Sequence, residues 1–457
     1  MKATPIPQSE GDTNLTSRRT AWQARALDGA TRALLDEDER HFLRQSVSTP
    51  CLNAICRAEG IWIEDVAGRR YMNFHGNNVH QIGYGHPRLK KAIAEQMEAL
   101  PFAPRRYANA PAVALARKLS ELSPFGPAKV LFTTGGSDAI EVAIKIARAA
   151  TGRHKTLSFW DAFHGAGIGA GALSGEALFR SGPAAPLVAG VLHVAPYAGT
   201  RCPYGTSSLE ESGAACARMI EYVLEREGDI ACLVAEPMRA VPHVAPAGFW
   251  ARVRAACERH GTLLVFDEIP TGLGKTGRMF ACQHEGVAPD ILVLGKGLGG
   301  GILPIAAVLA RPELDVGAEW AFGHYTHEKN PVTARAALTT IEIIEEEGLV
   351  ENAARLGTLA MQRLADLEER IREVGDVRGR GLVLGVELVR DRAGMEPHPD
   401  LAEVAMYAAL DRGLSFKTTM GNVLTLTPPL TITAEEMLRA LDIVAAAIED
   451  ARHMIRR

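Results

Sequence analysis

The sequence lacks three features that would direct attention away from small-molecule chemistry: a charge excess, a long apolar run and a cysteine framework. Its net charge is −4 over 457 residues, of which 23% are charged and 47% are hydrophobic. That balance gives no electrostatic reason to expect a nucleic-acid or membrane partner. No apolar run approaches the roughly 18 residues of a membrane span, and the polar start "MKATPIPQSEGDTNLTSRRTAW" lacks the apolar centre of a signal peptide. A small-molecule partner is therefore expected.

The seven cysteines are an odd number and include no CxxC pair. Their spacing supports neither a disulfide framework nor a metal site, and the histidines show no ligand spacing either. We therefore expect reduced thiols, a cytoplasmic location and no metal.

From residue 129 onwards, short apolar runs alternate with longer helical patterns. The runs predicted as strands are "KVLF" (129–132), "IACLVAE" (230–236), "TLLVFDE" (262–268), "DILVLGK" (290–296) and "IAAVLA" (305–310). This alternation predicts an α/β protein whose large, doubly wound sheet is mostly parallel, with helices on both faces. Two of the intervening helices are expected to end at Gly152 and Gly261.

Near residue 331 the pattern changes to a long helical stretch followed by the strands "GLVLGVELV" and "VLTLT". We interpret residues 76–330 as the large domain and residues 331–457 as a smaller α+β domain. Residues 1–75 are expected to pack largely on the small domain. Thr433 and Glu436 form a capping box that predicts the start of the last helix.

Three of the predicted strands end in polar residues that would meet at one edge of the sheet. In "TTGGSD" (133–138), Gly136 and Ser137 would open a helix whose free amides suit a phosphate. In "FDEIPTG" (266–272), Asp267 follows a buried strand, and in "LGKG" (294–297) so does Lys296. A phosphate cradle, a carboxylate for a protonated ring nitrogen and a lysine nucleophile are the parts that pyridoxal phosphate (PLP) requires.

Simpler explanations exist for each part alone. A strand–glycine–helix turn occurs in proteins without any ligand, and Asp267 could instead cap a helix or join a structural ion pair. The motif "GLGKTG" (272–277) suggests a nucleoside-triphosphate loop, but Ile269 stands where that pattern requires a glycine. We therefore reject the nucleotide interpretation.

Six motifs occur together in one order and spacing: "LFTTGGSDAIEVAIKIAR", "FHG", "EP", "DEIPTGLGKTGRMF", "APDILVLGKGLGGGILPIAAV" and "THEKNP". With them, from about residue 57 to the C-terminus, the chain resembles the class III aminotransferases, which are fold-type-I PLP enzymes. The resemblance implies the following cofactor-binding residues: Gly136, Ser137, Phe163, His164, Glu236, Asp267, Ile269, Lys296 and Thr326.

The resemblance also implies a role for most of these residues. Gly136 and Ser137 would hold the phosphate, and Phe163 and Ile269 would pack on the two faces of the ring. Thr326 would reach the phosphate of the neighbouring subunit, which implies a homodimer with its sites at the interface.

Lys296, which would bond to the cofactor aldehyde, and Asp267, which would face the ring nitrogen, are the predicted catalytic residues. Two interpretations stay open for His164, because it could contact the cofactor region or simply orient its turn. Glu236 could likewise contact the cofactor region or organise other polar groups.

Departures from the family pattern concern the substrate. Amino-acid transaminases of this family carry an arginine for the substrate carboxylate in the C-terminal strand motif, where this chain has Thr425 in "NVLTLTPPL". A neutral threonine cannot pair with a carboxylate through two hydrogen bonds. The segment "NFHGNNVHQIGYGHP" (73–87) is similar to that of a lyase branch of the family, which releases ammonia from (R)-1-hydroxy-2-aminoethylphosphonate.

We therefore expect an ammonia-lyase acting on a small primary amine, including one that bears a phosphonate. The alternatives are an ω-amine or amino-acid transaminase and a binding module without catalysis. A phosphonate requires cationic donors. The candidate substrate-contacting residues are Asn77, Arg105, Arg106, Lys329, Lys417 and Thr425.

Overall fold

The computed structural model describes residues 16–45, 48–180, 182, 185–198 and 201–455. Within these ranges the α-helices are α1 (Ser17–Ala26), α2 (Gly29–His41), α3 (Pro87–Ala99), α4 (Ala110–Leu122), α5 (Gly136–Thr151), α6 (Ile168–Leu173), α7 (Ala177–Arg180), α8 (Leu209–Glu227), α9 (Phe249–His260), α10 (Pro331–Glu346), α11 (Leu349–Arg370), α12 (Pro399–Asp411) and α13 (Ala434–Ile455). The strands are β1 (Ile55–Glu59), β2 (Trp62–Asp65), β3 (Arg70–Asn73), β4 (Lys129–Thr133), β5 (Lys155–Phe159), β6 (Val191–Val194), β7 (Ile230–Ala235), β8 (Leu263–Asp267), β9 (Ile291–Leu294), β10 (Ala306–Ala310), β11 (Val374–Arg380), β12 (Val383–Leu388), β13 (Leu414–Ser415), β14 (Lys417–Thr419) and β15 (Val423–Leu426).

Two compact units divide the chain. The large unit comprises Pro87–Glu351, and the small unit comprises Met1–His86 together with Asn352–Arg457. The boundaries predicted from the sequence, 75/76 and 330/331, lie earlier in the chain. The second boundary falls later in the structure because α10 packs on α3 and α4 and therefore belongs to the large unit.

A seven-stranded sheet in the order β4-β10-β9-β8-β7-β5-β6 forms the centre of the large unit. Only β10 runs antiparallel to its neighbours within this sheet, and the remaining pairs are parallel. Strands β7 and β9 are buried along their whole length, as their unbroken apolar runs predict for strands covered on both faces. The predicted mostly parallel α/β sheet is confirmed.

Helix ends in the large unit follow from glycine conformation. α5 ends at Gly152, with a φ of 67°, and α9 ends at Gly261, with a φ of 61°. Glycine adopts this left-handed backbone without the steric cost that a side chain adds. Both ends lie where the sequence predicts them.

The small unit combines helices with two four-stranded sheets. β13 pairs in parallel with β3, so the C-terminal part of the chain completes the sheet β1-β2-β3-β13. The second sheet, β11-β12-β15-β14, is antiparallel. The predicted capping box precedes α13, where Thr433 Oγ1 accepts from the amide of Glu436 at 3.2 Å. No helix in the described ranges is long and apolar enough to cross a membrane.

Candidate active site

The carboxyl ends of five strands in the large unit lie at one edge of its sheet. β5, β7, β8 and β9 are parallel neighbours, and β4 has the same direction because β4 and β9 are both antiparallel to β10. The segments that follow these five strands carry most of the predicted cofactor residues. The sheet therefore brings together residues that are up to 160 positions apart, from Gly136 to Lys296.

Asp267 and His164 form a buried hydrogen-bonded pair at this edge. Nδ1 of His164 donates to Oδ2 of Asp267 at 2.8 Å, and the two residues are 1% and 2% exposed. The amide of Ile269 donates to the other carboxylate oxygen at 3.0 Å. A carboxylate has about four acceptor positions, so Asp267 retains capacity for a further donor. His164 thus orients Asp267 directly, a contact that neither sequence interpretation of His164 included.

Glu236 follows β7 and lies partly buried near this pair. Its Oε2 accepts from the amide of Ala240 at 2.8 Å. Burial raises the pKa of Glu236 to about 7, and the negative charge of Asp267 acts in the same direction, while Arg239 and His164 oppose the rise. Glu236 is therefore about half protonated near pH 7.

The start of α5 is closely surrounded by other side chains, and glycines at positions 136 and 165 leave no room for a Cβ atom. A Cβ atom at Gly136 would lie 2.8 Å from Cδ1 of Ile269, and one at Gly165 would lie 2.6 Å from Oγ of Ser137. Ser137 Oγ also accepts from the amide of Ala166 at 3.0 Å. The residue that caps α5 is a glycine with no side-chain acceptor, so the first amides of the helix are available to an anion.

Lys296 follows β9 in a backbone conformation that is rare for a residue with a side chain. Its φ is 43°, and such strain is concentrated at functional sites. The residues at 291–295 and 297–300 are buried, whereas Lys296 is partly exposed. The surrounding chain therefore holds the backbone of this lysine firmly while its side chain reaches accessible space.

Two predicted ring-contacting residues occupy this region in different ways. Ile269 is 8% exposed and packs at the start of α5. Phe163 is partly exposed, and its ring centroid lies 4.5 Å from that of Phe179, with the planes tilted by 52°. Thr326, in the loop before α10, is exposed. Phe179 was missed in the sequence, since no local pattern links it to Phe163.

Three of the predicted substrate cations lie in two adjoining loops of the large unit, one before α4 and one before α10. Nη2 of Arg105 lies 2.7 Å from Nε2 of His324, and the side chain of Asn109 donates to the carbonyl of Lys329 at 2.9 Å. Lys329 and Arg106 are exposed. The structure brings these loops together, but it provides no contact from them to Lys296 or Asp267 among the described residues.

The other three substrate candidates belong to the small unit. Asn77 is exposed and has a φ of 48°. Lys417 on β14 is the cross-strand partner of Thr425 on β15. Thr425 is 1% exposed and its hydroxyl lies 2.7 Å from that of Thr419. Their roles stay predictions.

Sequence reasoning also missed Arg239, which follows Glu236 by three residues in "EPMR". It is 6% exposed, and its Nη2 donates to the carbonyl of Asp161 in the loop after β5. Its position shortly after the end of β7 could have indicated a site residue, but the sequence does not show that its side chain is buried.

Lys275, in the motif that resembles a nucleotide-binding loop, is completely buried. Burial lowers the pKa of Lys275 to about 7. A lysine that serves a nucleotide has to reach its phosphates, so this burial agrees with the rejection made on spacing.

The sheet order, the strand-end residues and the two-unit organisation define a fold-type-I PLP enzyme architecture. A family model described as "Aminotransferase class-III" matches residues 44–448. The chain therefore belongs to the class III aminotransferase family, whose members use PLP, and it is a PLP-dependent lyase or transaminase of that family. The resemblance found in the sequence is confirmed.

Within this family the chain is similar to proteins of several activities. It is 42% identical to the (R)-1-hydroxy-2-aminoethylphosphonate ammonia-lyase of Vibrio splendidus, over 98% of this chain and 96% of that protein. It is 37% identical to a leucine/methionine racemase of Thermococcus litoralis, over 91% and 95%. Among solved structures, the ω-transaminase of Pseudomonas jessenii in complex with PMP superposes with a TM-score of 0.87 at 30% identity, covering 92% of this chain and 98% of that one.

Proposed function

We propose that the protein is an ammonia-lyase that converts (R)-1-hydroxy-2-aminoethylphosphonate to phosphonoacetaldehyde and ammonia with bound PLP. The observation that carries this proposal is the 42% identity to the Vibrio splendidus lyase over nearly the full length of both chains. Such coverage includes the loops that shape the substrate pocket as well as the sheet, and loops carry much of the functional difference between related enzymes.

The residues at the strand ends fit PLP. The free amides at the start of α5, kept accessible by Gly136 and Gly165, suit its phosphate. The buried carboxylate of Asp267 suits a protonated ring nitrogen, and its remaining acceptor capacity leaves room for that hydrogen bond. Lys296 would bond to the aldehyde, as its position after β9 on a strained backbone supports.

When bound, PLP supplies an electron sink for negative charge on the substrate carbon that bears the nitrogen. Asp267 stabilises the proton on the ring nitrogen, and His164 holds Asp267 in place through the 2.8 Å hydrogen bond. The amine of Lys296 removes the proton from that substrate carbon. The neighbouring hydroxyl then leaves as water, and a water molecule is taken up again as ammonia is released, so no keto acid is needed.

The neutral Thr425 supports a substrate without an α-carboxylate. It occupies the place where the family resemblance puts the carboxylate-binding arginine of amino-acid transaminases, and its hydroxyl is engaged with Thr419. A phosphonate carries more negative charge than a carboxylate and must be met by other donors.

We also infer that the protein is a homodimer and that it is located in the cytoplasm. The exposure of Thr326 supports contact with a neighbouring subunit, and the seven cysteines without disulfide bonds fit a reducing compartment. Light scattering should give the mass of two chains. Thr326→Val should lower the affinity for PLP without unfolding the protein, and an unchanged affinity would contradict the role of Thr326.

The reaction is tested by mixing the enzyme with the hydroxy-aminophosphonate in the absence of any keto acid. Ammonia and phosphonoacetaldehyde should accumulate over many turnovers. Product that stops at one equivalent per site and resumes when pyruvate is added would show a transaminase instead.

An ω-amine transaminase is the second candidate, and the close superposition on the Pseudomonas jessenii enzyme favours it. That fold similarity is shared by many activities within the family, so the acceptor requirement decides between the two. A protein that releases no ammonia and whose visible spectrum does not respond to amines would instead be a binding module.

A further inference from the structure

Arg239 is a buried cation that no step of the proposed mechanism uses. It is 6% exposed, its Nε is buried without a hydrogen-bond partner among the described residues, and its Nη2 donates to the carbonyl of Asp161. No carboxylate in the described ranges lies within ion-pair distance of it. A guanidinium stays charged at any physiological pH, and burying a charge costs several kcal/mol unless an opposite charge accompanies it.

Backbone hydrogen bonds hold the loop that carries Arg239 at the edge of the sheet where the candidate site lies. The amide of Arg239 donates to the carbonyl of His243 at 3.1 Å, and the reverse bond measures 3.5 Å. These bonds hold the loop after β7, while Asp161 belongs to the loop after β5. Because β5 and β7 are parallel neighbours in the sheet, Arg239 lies at the same edge as Asp267 and Lys296.

The groups around Arg239 do not neutralise it. Glu236 is a nearby carboxyl among the described residues, but burial and the charge of Asp267 raise the pKa of Glu236 to about 7, so it provides only part of a negative charge at neutral pH. The hydroxyl of Tyr197 is buried without a hydrogen-bond partner among the described residues. Burial raises the pKa of Tyr197, which therefore stays a neutral donor, although Arg239 opposes that rise.

Nε2 of His164 is a third buried polar atom of this region without a partner in the described part of the chain. Buried polar atoms are nearly always hydrogen-bonded in native proteins. Unfilled bonding capacity on Arg239, Tyr197 and His164 at one sheet edge therefore indicates a polar ligand. The full positive charge of Arg239 indicates that this ligand is an anion.

We infer that Arg239 is a specificity-determining residue that binds the phosphonate of the substrate. This inference rests on the proposed function and goes beyond it, since it assigns the anionic group of the substrate to a residue outside the earlier candidates. The planar guanidinium can donate two parallel hydrogen bonds to phosphonate oxygens. The dianion supplies the opposite charge that the buried arginine lacks within the chain.

Direct binding is the first test, on the holoenzyme with 2-hydroxyethylphosphonate, which carries the phosphonate but no amine. Calorimetry should show binding weakened by on the order of 100-fold in Arg239→Gln, as for other buried charge pairs that lose one partner. Arg259→Gln removes the same charge from an exposed position on α9 and is the matched control, which should bind as the wild type does. Wild-type affinity in Arg239→Gln would overturn the inference.

Turnover of two amines, one with and one without a phosphonate, distinguishes phosphonate binding from a purely structural role of Arg239. For Arg239→Gln, kcat/KM should fall on the order of 100-fold with the hydroxy-aminophosphonate but stay near the wild-type value with 1-amino-2-propanol, where a methyl group replaces the phosphonate. Equal losses on both amines would show a structural arginine and overturn the inference.

If circular dichroism shows that Arg239→Gln does not fold, Arg239→Lys is the variant that decides. Lysine keeps the positive charge but loses the two parallel N–H donors of the guanidinium. Phosphonate binding about 10-fold weaker supports the inference, and wild-type binding overturns it.

The two proposals fail separately. A wild-type enzyme that releases no ammonia from the phosphonate, but binds the phosphonate probe through Arg239, overturns the lyase and supports the anion site. If the wild-type enzyme releases ammonia, and Arg239→Gln binds the phosphonate probe as tightly as the wild type does, the lyase is supported and the inference is overturned.

Discussion

Glu236→Gln should change how the stability of the protein depends on pH. The pKa of Glu236 is raised from its ordinary value of 4.5 to about 7, first by burial and then by the charge of Asp267. Below pH 4.5 the carboxyl is protonated in the folded and the unfolded chain alike, so it makes no difference. Between pH 4.5 and about 7 the unfolded chain releases this proton while the folded chain keeps it.

The free energy of unfolding therefore falls as the pH rises through this range, because the unfolded chain binds fewer protons than the folded one. At about 1.4 kcal/mol for each tenfold change in equilibrium, the effect is about 3 kcal/mol at most. It is nearer 2 kcal/mol because Glu236 retains some contact with solvent. Above about pH 7 the loss is complete.

Glutamine has nearly the same shape, can still accept from the amide of Ala240 and does not ionise. Urea denaturation of the cofactor-free protein at pH 5, 6, 7 and 8 should show Glu236→Gln gaining about 2 kcal/mol over the wild type between the first and last of these values. Glu225→Gln removes an exposed carboxyl on α8 and is the control. Glu268, whose pKa burial also raises to about 7, is unchanged in every protein compared, so its contribution cancels. A constant difference between Glu236→Gln and the wild type at all pH values would refute the reasoning.

Three substitutions test the cofactor site. Lys296→Ala should fold but bind PLP only reversibly, and a bond to the cofactor that borohydride still reduces would show that another lysine is responsible. Asp267→Asn should keep PLP but lose on the order of 10²- to 10³-fold in kcat, because an amide does not stabilise the ring-nitrogen proton, and a rate near that of the wild type would rule out this role. Gly136→Ala should weaken PLP binding about 10-fold because its Cβ displaces Ile269, whereas Gly29→Ala, in open space, should not, and equal affinities in the two variants would contradict the contact.

The parts of the site that the sequence predicts are those set by local chain geometry. Lys296 and Asp267 each end an unbroken apolar run, and the direction of a parallel strand fixes the edge at which its last residue emerges. The start of α5 follows in the same way from the glycines before Ser137. These positions need no knowledge of distant loops, so apolar patterning and turn chemistry are sufficient to locate them.

Contacts between residues at the ends of different strands cannot be predicted from local sequence pattern. The bond from His164 to Asp267 depends on which strands are neighbours and on a rotamer, and residues about a hundred positions apart carry no mutual signal in one sequence. The domain boundaries have a similar origin, since α10 belongs to the large unit through its packing on α3 and α4. Tertiary packing, which overrides local pattern, determines both.

The cation that meets the substrate is the hardest part to predict, because charge alone does not distinguish among 50 lysines and arginines. Exposed residues such as Arg106 and Lys329 are already solvated, and binding an anion requires them to give up water for little gain. Arg239 has lost its water on folding and has received only one carbonyl from the described residues in return. The energetic need for an anion is therefore greater at Arg239 than at the exposed cations, and burial, which the sequence does not show, is what makes this arginine selective.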